Sequence, residues 1–163
     1  MLFRSIGSAL LDFVVRRVVG QVLIDAYCGS GFFGHALARR LKTVIGIDWN
    51  ESAINAARDA AGSNETYVCG DVATTIQALL ANDRPHTVIL DPSADGIDNR
   101  VTSALVNDPS NRLIYVSCNP ATLARDLAGL RNKFNIVAVQ PFDMFPQTAE
   151  IETVAVLERS PLA

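Results

Sequence analysis

Short apolar runs rich in β-formers alternate with helix-periodic segments along nearly the whole chain, and this alternation most restricts its fold. Val22 to Ile24, Thr43 to Ile47, Thr66 to Val68, Thr87 to Leu90 and Leu113 to Val116 predict five strands. Helical spacing of Ile6, Leu10, Phe13, Val14 and Val18 predicts a first helix over about residues 5–19. Further helices are predicted over Phe33–Leu41, Glu51–Ala61 (ended by Gly62), Val72–Leu80, Ile97–Val106 (broken at Asp108-Pro109) and Pro120 to about Arg131. Strands joined by helices of this length need right-handed crossovers, which gives a mostly parallel sheet. The last two strands, Ile136–Val139 and Ile151–Leu157, are joined by a segment holding Pro141 and Pro146 without helical periodicity, so they are expected to pair antiparallel. The expectation is one α/β domain over residues 1–163, with a seven-stranded sheet, an antiparallel last strand and helices on both faces.

The turn after the first strand reads DAYCGSGFFG, residues 25–34. Gly29, Gly31 and Gly34 spell G-x-G-x-x-G between strand and helix, where missing side chains let a cofactor approach backbone amides and a helix N-terminus. Nicotinamide or flavin dinucleotides and S-adenosylmethionine share that spelling. A carboxylate at the strand end, Asp25, suits the ammonium-bearing amino-acid part of S-adenosylmethionine and would lie poorly beside a pyrophosphate. Tyr27, within the turn, joins Gly29 and Gly31 as a cofactor-binding candidate. Asp48 closes the second strand 17 residues after Gly31, near the spacing at which an acidic residue takes ribose hydroxyls. Trp49 is suited to cover an adenine face and Asp71 to accept from an adenine amino group; the competing readings are a core aromatic and a helix N-cap.

A second chemical position lies in LIYVSCNPATLARDL, residues 113–127. Asn119-Pro120 reads as N-cap plus first helical residue, so Cys118 falls where a buried strand gives way to a helix start. The helix end favours thiolate over thiol there; the alternative is a cysteine packed inertly at a strand end. The three cysteines are far apart, with no histidine at ligand spacing, which argues against a zinc site or a disulfide framework and for a reducing cytoplasm. His35 and His86 read as structural or exposed. Asp12 interrupts the apolar run near the N-terminus and Arg16-Arg17 follow it, against a signal peptide, and no run is long enough to span a bilayer. A net charge of −3 argues against a strong nonspecific grip on nucleic acid, and a polyanionic partner would need local basic residues or another chain.

Together, DAYCGSGFFG, VILDPSADG, LIYVSCNPATLARDL and PFDMFPQTAEIE resemble the catalytic domain of the RNA uracil-5 methyltransferases, from about Phe3 to Glu158. The resemblance implies a Rossmann-like class I methyltransferase fold, S-adenosylmethionine as cofactor, and 5-methyluridine formation in tRNA or ribosomal RNA. It also implies Cys118 as nucleophile, Glu152 as the base that removes the uracil carbon-5 proton, and Asp91 as a contact to the uracil edge, with Asp25, Asp48 and Asp71 lining the cofactor site. Such chemistry needs both a thiolate and a carboxylate. Uracil carbon 5 is a poor nucleophile until a thiolate has added to carbon 6, and the adduct must then lose its carbon-5 proton to a base expected on the far side of the pocket. Taken alone, Glu152 reads as a solvated edge-strand carboxylate.

The chain departs from the family pattern at several positions. Asp91-Pro92-Ser93-Ala94 stands where the family has Asp-Pro-Pro-Arg, Arg4 and Ile6 stand where Gln and Asn are expected, and Glu150 replaces a His. The family's amino-terminal RNA-binding domains and four-cysteine cluster have no counterpart in this sequence, so a further RNA-binding domain or chain is the expected partner. An excised domain, a stand-alone variant and a degenerate copy all fit that pattern. Competing functions are methylation of a small molecule or another nucleobase, a cofactor-binding module without catalysis, and a dinucleotide enzyme.

Overall fold

A computed structural model describes residues 2–83, 85–143 and 151–161, with side chains from residue 7 onward. The elements follow the predicted alternation: α1 (Leu2–Val15), β1 (Val22–Ala26), α2 (Phe32–Ala38), β2 (Thr43–Asp48), α3 (Glu51–Ala60), β3 (Glu65–Cys69) and α4 (Val72–Asp83). They continue as β4 (Thr87–Leu90), α5 (Asn99–Asn107), β5 (Arg112–Ser117), α6 (Pro120–Leu130), β6 (Phe134–Phe142) and β7 (Glu152–Arg159).

All seven strands form one sheet in the order β3-β2-β1-β4-β5-β7-β6. β1 to β5 run parallel to one another, and β7 is antiparallel to both β5 and β6. The last strand thus enters between β5 and β6, and β6 becomes the edge. Successive strand side chains point to opposite faces, so the interior strands feed two cores. On one face Ile24, Val88, Leu113 and Tyr115 meet Ile76 of α4, Val101 and Leu105 of α5 and Leu130 of α6. On the other Leu23, Ile89, Ile114 and Val156 meet Leu10 and Val14 of α1 and Phe33 and Leu37 of α2, while Ile54 and Ala57 bring α3 onto Cys28 and Tyr67. Each fully buried aliphatic side chain contributes about 1.5–3 kcal/mol, so the two-sided sheet is the main source of stability.

Several expected boundaries shift for local reasons. The first helix stops at Val15, short of residue 19, because Val19 is bound through both its amide and its carbonyl to the Thr87 hydroxyl. α2 stops at Ala38, short of Leu41, where i→i−3 bonds tighten the chain and Asn64 Nδ2 donates to the carbonyls of Ala38 and Leu41. α5 begins at Asn99 because Asp98 caps it and the Ile97 amide is taken by Asp126. β6 is longer than Ile136–Val139 and includes Pro141, which an edge strand tolerates. Residues 144–150, including Glu150 and the Phe145–Thr148 part of the carboxyl-terminal motif, lie outside the described residues, as do the side chains of Arg4 and Ile6. Among the described residues no helix is long and apolar enough to cross a membrane.

Candidate functional site

The parallel strands bring Asp25, Asp48, the turn at 69–71, Asp91 and Cys118 to one edge of the sheet, and β7, running the other way, starts at that edge with Glu152. The carboxyl ends of parallel strands are where α/β sheets bind ligands.

On the cofactor side the chain turns sharply. Tyr27 holds a positive φ of 63°, unusual for a residue with a side chain, and Gly29 and Gly31 follow at 53° and 86°. A Cβ on Gly29 would meet nothing within 4 Å, so the turn presents open space to a ligand. Asp48 fastens the turn: its Oδ2 accepts from the Gly29 amide and its Oδ1 from the Asn50 amide, each at 2.9 Å. Asp25 is fully buried; Oδ2 accepts from the Gly34 amide at 2.9 Å, while Oδ1 is buried without a protein partner. Burial pushes this carboxyl up to about 7 against the lowering effect of the Gly34 amide, and the charges of Asp91 and Asp48 add to the rise. Burial likewise raises Tyr27 to about 12, and burial with the Asp25 charge pushes the Cys28 thiol up, leaving that cysteine inert. Asp71 is the N-cap of α4, its Oδ1 accepting from the Thr74 amide at 2.9 Å. Trp49 is 75% exposed, which rules out the core-aromatic reading and leaves its ring free beside Asp48.

On the other side of the site Cys118 is exposed, directly before a helix capped by Asn119 with Pro120 in its first turn, as the sequence predicts. β5 and β7 pair as far as Ser117 and Thr153; Cys118 follows Ser117 at the end of β5, and Glu152 precedes Thr153 at the start of β7. The nucleophile and base candidates therefore flank the last residue pair of two adjacent strands. Asp91 joins them from β4. It shows surface to solvent, but its carboxyl is packed on the protein side; that desolvation, then the charge of Glu152, pushes it up to about 7. The structure therefore brings Asp25, Asp91, Glu152 and Cys118 into one neighbourhood, with Asp48 and Trp49 along the same edge and Asp71 further out. Among the described residues no set of three His, Cys, Asp or Glu could hold a metal ion.

Two supporting clusters escaped the sequence reading. Tyr67 lies under the glycine turn, its hydroxyl donating to Glu65 Oε2 at 2.8 Å, and His35 Nδ1 approaches the same oxygen at 2.5 Å. A Cβ on Gly34 would come within 2.6 Å of that hydroxyl, and one on Gly46 within 2.3 Å of the Tyr67 ring. A glycine inside a strand, as at Gly46, was the available signal of close approach. The second cluster is Asp126, buried on α6, which accepts from the Ile97 amide at 2.9 Å and from the Tyr115 hydroxyl at 2.6 Å. An acidic residue within the apolar spacing of Leu123 and Leu130 was its signal.

The fold, the glycine turn and the acidic strand ends define a class I S-adenosylmethionine-dependent methyltransferase. The magnesium protoporphyrin IX methyltransferase of Synechocystis, crystallised with S-adenosylhomocysteine, superposes with a TM-score of 0.72 over 97% of this chain and 85% of its own, at 19% identity. That likeness concerns the fold alone. A general methyltransferase-domain model matches residues 18–101, and the tRNA (uracil-5-)-methyltransferase family model matches residues 76–160. The chain belongs to the tRNA (uracil-5-)-methyltransferase family. An uncharacterized RNA methyltransferase of Gloeobacter violaceus is 43% identical over 141 residues, covering 86% of this chain and 31% of that protein. One from Listeria innocua is 42% identical over 144 residues, covering 85% and 32%. The Pyrococcus abyssi tRNA (uracil-54, C5)-methyltransferase, solved with S-adenosyl-L-homocysteine, is 34% identical with a TM-score of 0.78 over 91% of this chain and 37% of its own. The chain spans about a third of the length of these relatives.

Proposed function

We propose that this chain is the catalytic domain of an S-adenosylmethionine-dependent methyltransferase that forms 5-methyluridine in tRNA or ribosomal RNA. The observation that carries the reading is the β5–β7 pairing, whose last pair, Ser117 and Thr153, is flanked by exposed Cys118 and by Glu152, the latter close enough to Asp91 for its charge to raise that carboxyl. S-adenosylmethionine, when bound, supplies an electrophilic methyl group to carbon 5 of the base. The residues fit it: the open turn at Gly29 admits its backbone-side approach, and the unpartnered oxygen of buried Asp25 suits a ligand ammonium. Asp48 has lone pairs left for ribose hydroxyls, Asp71 has its second oxygen for an adenine amino group, Tyr27 shapes the turn, and Trp49 offers a face for the ring.

Cys118 Sγ bonds to uracil carbon 6, and the double-bond electron pair moves toward oxygen 4, making carbon 5 nucleophilic. Asp91 holds the uracil edge. Once carbon 5 carries the methyl group, Glu152 takes its remaining proton; the C–H electron pair restores the ring double bond and the C–S bond breaks, returning the thiolate. The acidic site edge and the net charge of −3 give RNA little to grip, so the phosphate contacts come from a further RNA-binding domain or chain, and the enzyme works in the cytoplasm. Calorimetry with S-adenosylhomocysteine and NAD, with nucleoside analysis of RNA incubated with protein and methyl donor, tests the reading. Binding of the first ligand and appearance of 5-methyluridine are expected; NAD binding without S-adenosylhomocysteine binding contradicts it from the cofactor up.

A further inference from the structure

Cys118 stands between two residues whose side chains are both taken up by backbone. Ser117 Oγ accepts from the Asn119 amide at 3.1 Å and donates to the Asn119 carbonyl at 3.0 Å, closing a small loop around the cysteine. Asn119 Oδ1 accepts from the amides of Ala121 and Thr122 at 3.0 and 3.4 Å, which is ordinary N-capping. Its Nδ2 faces the other way and donates 3.2 Å to the carbonyl of Ala94, in the loop that leaves β4 with Asp91. Thr122 Oγ1 donates to the same carbonyl at 3.0 Å, sharing its hydrogen with the Asn119 carbonyl. One turn further along α6, Arg125 Nη2 donates to the Asp95 carbonyl at 2.8 Å and Asp126 accepts the Ile97 amide. Positions 119, 122 and 125–126 share one face of α6, so the 91–97 loop is bound along that face from the first helical turn onward.

We propose that Asn119, assisted by Thr122, is a positioning residue that fixes the Asp91 loop relative to Cys118, so that the base held by the loop meets the thiol at the angle of attack. This rests on the function proposed above. The geometry gives one side chain two tasks: its oxygen orients the helix start behind the cysteine and its nitrogen holds the loop. The two can be separated. Asn119→Ser keeps a cap of equal quality but is too short to reach Ala94, and Thr122→Val removes the second donor at constant shape. Thr122→Ser retains the hydroxyl and serves as the conservative control.

Two measurements on the Asn119→Ser/Thr122→Val chain test the proposal. In hydrogen exchange, loop amides such as those of Gly96 and Ile97 should exchange faster by about tenfold or more while α6 amides stay at wild-type rates. In the second, an RNA carrying 5-fluorouridine is incubated with protein and S-adenosylmethionine; fluorine cannot be removed as a proton, so the carbon–sulfur bond persists and the rate of adduct formation is read on denaturing gels. The rate at saturating RNA should fall by about 10–100-fold, with S-adenosylhomocysteine affinity unchanged and with Thr122→Ser near wild type. Loop exchange at the wild-type rate, or adduct formation at the wild-type rate despite faster loop exchange, overturns the proposal. A wild-type chain that forms no adduct contradicts the proposed function instead, and the exchange result still decides whether Asn119 and Thr122 hold the loop.

Discussion

The two halves of the site handle their polar groups in opposite ways. In the cofactor half, from β1 to α4, the carboxylates are turned onto the protein's own backbone: Asp48 binds Gly29 and Asn50, Asp71 caps α4, and Asp25 binds Gly34 from a fully buried position. In the acceptor half Cys118 is exposed, Asp91 keeps its residue surface in solvent with the carboxyl packed inward, and Glu152 is half-buried at the start of its strand. The difference separates a preorganised platform, whose residues hold shape as well as ligand, from a set of reactive groups whose placement comes from strand order and from the α6 contacts. Substitutions in the first half should therefore alter stability and affinity together, and those in the second should alter turnover at nearly constant stability.

The largest expected effect on turnover is in the acceptor half. Cys118→Ala should lower methylation by at least about a thousandfold, because the addition to carbon 6 loses its thiolate, while the melting temperature moves by only about a degree, since Cys118 is exposed. A comparable loss of stability would erase the contrast. In the cofactor half, Gly34→Ala brings a Cβ within 2.6 Å of the Tyr67 hydroxyl and should cost about 1–3 kcal/mol in denaturant unfolding, with weaker S-adenosylhomocysteine binding. Wild-type stability there would mean that the turn is looser than its contacts imply.

Asp25 sharpens the comparison because its two roles conflict. Its folded carboxyl titrates near 7 and its unfolded one near the ordinary 3.8, so between these pH values the folded state holds more protons. Stability from this group is complete below about pH 4 and is lost as pH rises toward 7, by a few kcal/mol at most. Asp25→Asn keeps an acceptor for the Gly34 amide and removes that loss. The variant should be more stable than wild type at pH 8 and little different at pH 4, yet bind S-adenosylhomocysteine about tenfold or more weakly because the ligand ammonium loses its counter-charge. Equal unfolding at pH 8 would refute the assignment of this titration. Trp49→Ala, the smallest effect, should leave stability within about 0.5 kcal/mol, since the ring is 75% exposed, and weaken S-adenosylhomocysteine binding by a few-fold.

The sequence exposed some of this architecture and hid the rest for physical reasons. Strand and helix existence was readable because a two-sided sheet requires apolar runs such as Val88 to Leu90, and Asn119-Pro120 carried its cap in its chemistry. Boundaries set by distant partners were not readable: Thr87 ends α1 and Asp126 delays α5 from far along the chain. Which strand neighbours β5 is likewise a tertiary fact, so Glu152 read alone as a solvated edge carboxylate, although β7 is an interior strand that starts beside the end of β5. Local pattern reported neither that Asp71 caps α4 through one of its oxygens nor that Trp49 is exposed, since both depend on what surrounds the side chain.

The pairing of Cys118 with Glu152 is the center of the account, and the fate of the covalent intermediate in Glu152→Gln tests it most directly. With substrate RNA and S-adenosylmethionine, this variant should add and methylate but stall at proton removal, so a methylated protein–RNA adduct that survives denaturing electrophoresis should accumulate and map to Cys118 by mass spectrometry. The same lane with Cys118→Ala should be empty. An adduct that persists without Cys118, or a Glu152→Gln chain that turns over at the wild-type rate, would contradict the assignment of nucleophile and base.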